Sequence, residues 1–148
     1  MSLVALKTLF NRDLNRLKAE IGLYQDESCI WHIEKSISNS ARNLCLHLIG
    51  NLNTYIGATL GNTNYIRNRA LEFSTKDIPK KVLIEKIEET RSIIIETLSN
   101  LSLETLKTEY PLLVLETKTT TEFFLIHLAT HLNYHLGQIN YHRRLLDK

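Results

Sequence analysis

Residues that interrupt regular structure are scarce in this chain: two prolines and five glycines in 148 positions. Long uninterrupted segments are therefore expected. Cysteine is nearly absent. Cys29 and Cys45 are too few for a disulfide framework. No apolar run approaches the roughly 18 residues that span a bilayer, and the N-terminus reaches Lys7 too early for a signal-peptide apolar region. These absences predict a cytoplasmic protein with reduced thiols and no membrane partner. An excess of one charge is missing too. Lys plus Arg number 18 against 16 Asp plus Glu, a net charge of +2. With no basic face in view, a nucleic-acid partner is not expected. What remains is ordinary for one globular domain over residues 1–148: 43% apolar and 23% charged. Histidine stands out, with six copies.

Four stretches carry the helical period. The first spans residues 2–24, where Leu6, Phe10, Leu14, Leu17 and Ile21 recur at three- and four-residue steps and Ser2 can cap. A connector with Trp31 and His32 follows. The second helix starts at the Ser38-Asn39-Ser40 cap and runs to about Leu60, ending at Gly61-Asn62. Residues 62–78 are mixed and polar, read as a long loop with room for one helical turn. Pro79 suits the first turn of the third helix, with Asp77 as its cap, and Leu83, Ile87, Ile94 and Leu98 form its stripe to about Asn100. Around Tyr110-Pro111 the pattern breaks. Leu112-Leu113-Val114-Leu115 reads as an extended crossover strand or as apolar packing under the bundle. The fourth helix opens with a capping box at Thr119-Thr120-Thr121-Glu122 and reaches about Leu146. The predicted fold is all-α, a four-helix bundle with long crossover connections.

On a wheel of 100° per residue, Arg144, Asn133 and Asn140 mark the outer side of the fourth helix, and Phe124, Leu128, Leu132, Ile139 and Leu146 its buried side. His135 falls near the middle of the buried arc, with His131 one turn earlier. His142 lies on the same arc two turns further on, and His127 at its edge. In the second helix, Arg42 and Asn53 mark the solvent face and Leu44, Leu48 and Tyr55 the core face, with His47 and Asn51 in the inner half. A lone inward histidine is usually a hydrogen-bonded core residue. Two at i and i+4 are costly to bury unless each finds a partner, and a metal ion serves both lone pairs. A third imidazole from a neighbouring helix gives three protein ligands and an open position. Cys45, about 160° from His47, reads as packing or interface.

The segment His127-Leu-Ala-Thr-His131-Leu-Asn-Tyr-His135-Leu-Gly137-Gln138-Ile139 resembles the last-helix motif of the DinB-like four-helix bundles, and Asn43-Leu-Cys-Leu-His47-Leu-Ile-Gly50-Asn51 resembles their second-helix motif. The stretch Tyr65-Ile-Arg67-Asn-Arg69-Ala-Leu-Glu72-Phe73 looks like a poorly characterised branch of that superfamily. The resemblance implies a bundle with long crossovers, often dimeric, that binds Zn or Ni through three histidines. Matched residue by residue, these are His47, His131 and His135. Relatives of that kind include metal-dependent thiol transferases and isomerases.

The expected chemistry is that of a divalent transition metal acting on a low-molecular-weight thiol cosubstrate, in an S-transferase serving stress response or detoxification. Asn51 and Gln138 are candidates to orient a ligand ring or touch substrate; Arg67 and Arg69, to hold carboxylates of the thiol. Metal-dependent hydrolysis is the alternative, weakened because no Glu or Asp flanks His131 or His135; Glu34 or Glu72 could supply a base from a connector. The third reading is a non-catalytic metal-binding stress module. A small-molecule substrate and a homodimer are expected, with Cys45, Ile49 and Ile56 on a flank that a second subunit or a third helix would cover.

Overall fold

A computed structural model describes residues 3–147. Six α-helices account for most of them: α1 (Leu3–Leu23), α2 (Ala41–Leu52), α3 (Arg69–Ser74), α4 (Lys80–Asn100), α5 (Leu103–Lys107) and α6 (Thr121–Leu146). A 3₁₀ turn (Glu27–Trp31) interrupts the first connection. The chain leaves α2 without a break, through a π-helical stretch (Asn53–Ala58) into a last turn (Thr59–Gly61).

The four long helices follow the apolar period. Leu6, Phe10, Leu14, Leu17 and Ile21 of α1 are all buried, as are Leu83, Ile87, Ile94 and Leu98 of α4. Polar caps set the boundaries. Ser40 accepts from the Asn43 amide at the start of α2, Asn68 from Leu71 at α3, and Ser102 from Thr105 at α5. Asn62 ends the second helical run in the left-handed region, φ 55°. The Ser2 cap lies outside the described residues.

Two expected caps move. Asp77 sits in the left-handed region, φ 59°, and does not cap α4; Pro79 takes that position without a side-chain bond. At α6 the cap is Thr120, whose hydroxyl accepts from the Phe123 amide. Thr119 is one residue too early because its carbonyl already accepts from the Tyr110 amide, in an isolated antiparallel bridge that also joins Thr121 to Thr108. The run at 112–115 is neither strand nor core: Leu112, Leu113 and Val114 are exposed, and Leu115 alone of the four packs against the core.

Helix α1 packs along α4 and α6, and α2 packs against the same two, so α1 and α2 stand at opposite corners. Ring contacts fix the register of α2 against α6. Tyr55 meets Phe124 at one end, centroids 5.5 Å apart, and His47 meets His135 at the other, 5.3 Å apart. The two helices therefore run antiparallel. Tyr110 joins this layer, 4.1 Å from Phe124, and donates its hydroxyl to the Tyr55 carbonyl.

The solvent face expected for α2 is wrong. Arg42 is 2% exposed and Asn53 4%. Arg42 lies under the Trp31 ring and donates to the Thr75 carbonyl, so the flanking connectors roof that side of the helix. Asn53 opens the π-helical stretch and donates to Ile49 O and Thr90 Oγ1, both inside. Cys45, Ile49 and Ile56 are likewise buried by the chain's own packing, so that flank is not open to a second subunit. Among the described residues no helix is long and apolar enough to cross a membrane.

Candidate metal centre

The antiparallel register brings His47 of α2 level with His131 and His135 of α6. The Nε2 atoms of His47 and His131 lie 3.3 Å apart and those of His131 and His135 3.1 Å apart. One ligand nitrogen from each of the three fits within a 4.8 Å span, a group that could hold a metal ion. Two nitrogens bound tetrahedrally at ~2.0–2.1 Å from one ion stand ~3.3 Å apart. Both separations match that edge. His135 is not in the middle of a buried arc, as the wheel predicts, but half-exposed at the mouth, while His47 is 9% exposed.

The outer ring nitrogens decide whether the inner ones are lone pairs. His47 Nδ1 stands 3.2 Å from Glu72 Oε1, which can only accept from it. Arg67 approaches the same Nδ1 at 3.3 Å, but its guanidinium donates to both Glu72 oxygens, at 2.8 and 2.9 Å. The proton therefore sits on Nδ1 of His47 and leaves Nε2 bare. On His135, Nδ1 is 2.7 Å from Gln138 Oε1; with the amide oxygen accepting, its Nε2 is bare as well. Two lone pairs thus face His131 Nε2. A proton there satisfies one and not the other, while His131 Nδ1 is buried without a hydrogen-bond partner whichever nitrogen is protonated. A divalent cation satisfies all three inner nitrogens together. The residues fit a metal ion.

Their protonation agrees. Burial pushes the His131 pKa down to about 4, helped by the neighbouring His135 and His47. Burial also lowers that of His47, partly offset by the bond to Glu72. Both imidazoles are neutral at pH 7, the form that ligates.

Glu72 is the functional residue that the sequence reading assigned differently, as a possible base. Helix α3 carries it onto α2 directly over Gly50, where a Cβ would stand 2.8 Å from the Glu72 carboxyl carbon. The lone signal in the sequence is a glycine three residues after His47 on a helix, which costs about 1 kcal/mol against alanine. Close approach of a side chain accounts for it.

The other candidates divide. Gln138 contacts His135. Arg67 is engaged by Glu72 rather than free for a cosubstrate, and Arg69 opens α3 exposed, its side chain making no hydrogen bond or ion pair among the described residues. Asn51 is buried one turn beyond His47, its Oδ1 without a partner. His142 is a core histidine, held by Tyr24 Oη at 2.7 Å and the His32 carbonyl at 2.9 Å. His127 stacks on Phe124 and His131 outside the trio. Glu34 is exposed beside His32.

No curated protein matches this sequence. The family model described as "Protein of unknown function (DUF1572)" matches residues 3–148, the two ligand-bearing helices and the α3 carboxylate included. The chain belongs to the DUF1572 family.

Proposed function

We propose that this protein is a divalent-metal enzyme of the DinB-like type, an S-transferase that uses a small thiol against an electrophile in stress or detoxification. The carrying observation is the convergence of three imidazoles, with a cleft beside His135. The likeness of the α2 and α6 motifs to DinB-like bundles supports the same reading. Imidazole donors suit Zn and Ni.

A divalent ion held there supplies a Lewis acid that lowers the pKa of a thiol or water at the remaining position. His47 is held in the ligating tautomer by Glu72, and His135 by Gln138. The Phe73 ring flanks the trio, 5.5 Å from His47. The carboxylate that touches the trio is Glu72, and it is committed to Arg67 and His47. It is not free to take a proton from water, which favours a thiol nucleophile over hydrolysis. In the transfer the thiol sulfur bonds to the electrophilic carbon, that carbon's bond to its leaving group breaks, and the thiol proton passes to solvent.

Elemental analysis and thiol consumption test this together. Purified protein should carry about one equivalent of transition metal and consume free thiol with a model electrophile, and His131→Ala should lose both. Negligible metal in both proteins, or metal without thiol turnover against a broad electrophile panel, overturns the reading.

A further inference from the structure

A cleft of about 450 Å³ opens beside His135, between residues 36–39 and the α6 side chains His135, Gln138, Tyr141 and Leu145. That volume falls in the range of small-molecule sites. Its chemistry is one-sided. Leu44 and Ile37 give aliphatic surface, Tyr141 an aromatic ring, and Ser36, Ser38, Asn39 and Gln138 uncharged hydrogen-bonding groups. Among the described residues no Asp, Glu, Lys or Arg lines it. Burial lowers the pKa of His142, also in its wall, partly offset by its bond to the His32 carbonyl. The cation beside it, Arg144, stands 5.8 Å from the Tyr141 ring and does not line the cleft.

The rim repeats the pattern. Phe73 is 39% exposed against His47, Tyr134 65% exposed with its ring 5.3 Å from His135, and Tyr141 64% exposed. Large rings left open to water around a metal-competent group are surface with a use. The arginine that could have brought an anion to the trio, Arg67, is neutralised by Glu72. A charged ligand entering here would lose hydration and meet no counter-charge, whereas an apolar body would displace water from rings and aliphatic side chains.

We propose that this cleft binds an uncharged small molecule with an apolar or aromatic body and a hydrogen-bonding group, its reactive end at His135. The assignment rests on the S-transferase reading for the ligand's role, as the electrophile, but not for its binding. The serine hydroxyls and the Asn39 and Gln138 amides meet its polar group, and Tyr141 and Ile37 its body.

Three probes of one size test it: benzyl alcohol, benzylammonium and benzenesulfonate, titrated by amide NMR into the wild-type protein and into His131→Ala, with metal content measured on both samples. Benzyl alcohol should shift the amides of residues 36–39, Tyr141 and Leu145 and bind at least about tenfold tighter than either ion, in both proteins. Ile37→Asp, at a partly exposed site where folding is safe, should weaken benzyl alcohol about tenfold and reverse the preference toward benzylammonium. An ion binding as well as the alcohol, or shifts confined to residues elsewhere, overturns the proposal. Negligible metal in the wild-type protein, with cleft binding retained, would count against the S-transferase reading alone.

Discussion

Two side chains of the trio, His47 and His135, each depend on one atom outside it. For His47 that atom is Glu72 Oε1, which fixes the proton on Nδ1 and strengthens Nε2 as a donor. Glu72→Gln should weaken metal binding about 10- to 100-fold in a chelator competition, the usual cost of losing such a partner, and nitrogen-detected NMR should show His47 losing its single tautomer. Unchanged affinity would mean that the carboxylate serves packing alone. Acid acts on the same residues in the metal-free protein. His131 titrates near 4 when folded and near 6.5 when unfolded, and His142 is lowered in the same direction. The unfolded chain therefore binds more protons in this window. The stability contributed by the neutral rings is full above about pH 6.5 and is lost as pH falls toward 4. Urea midpoints should drop across that interval, with a shallower slope in His131→Ala. A flat profile would show that these rings gain protons equally in both states.

Among the elements, the four long helices were legible because their apolar residues recur without interruption, His131 and His135 because i, i+4 spacing holds in any regular α-helix, and His47 because it falls on the inner half of α2. The misread solvent face of α2 has two causes. A helical wheel assumes that the side without apolar residues meets water, and for Arg42 that side is roofed by Trp31 and Thr75 from connectors of no strong period. Asn53 fails for a second reason, standing where α2 loosens to π-helical turns and the 100° step no longer applies. Helix α5 is a single short turn that leaves almost no periodic trace. Glu72 reaches His47 only through the docking of α3 on α2, a contact that no local pattern encodes. That docking is testable at Gly50. Gly50→Ala should cost about 1–3 kcal/mol in equilibrium unfolding, as overpacking does, and weaken metal binding by displacing Glu72. In a Glu72→Ala background the same change should be nearly neutral in stability, so the double-mutant cycle gives a coupling close to the single-site cost. Additive effects would place the strain elsewhere.

At the scale of the molecule, the trio joins two of the four helices that build the bundle. An ion present at a hundredfold excess over its dissociation constant adds about 2.7 kcal/mol to the folded state, or about 5 to 10 °C in Tm for a chain of this size. Chelation of the wild-type protein should remove that increment, and His131→Ala should melt at the same temperature with or without chelator. A wild-type Tm indifferent to chelator would show that nothing is bound, or that binding favours neither state. His47 and His131 are 84 positions apart, so an ion between them closes a loop of more than half the chain. Such a clasp restrains the unfolded ensemble as a long-range crosslink does. Unlike a disulfide it opens reversibly, on acid or on contact with a stronger chelator, so the rate at which the ion escapes also sets how quickly α2 and α6 can part.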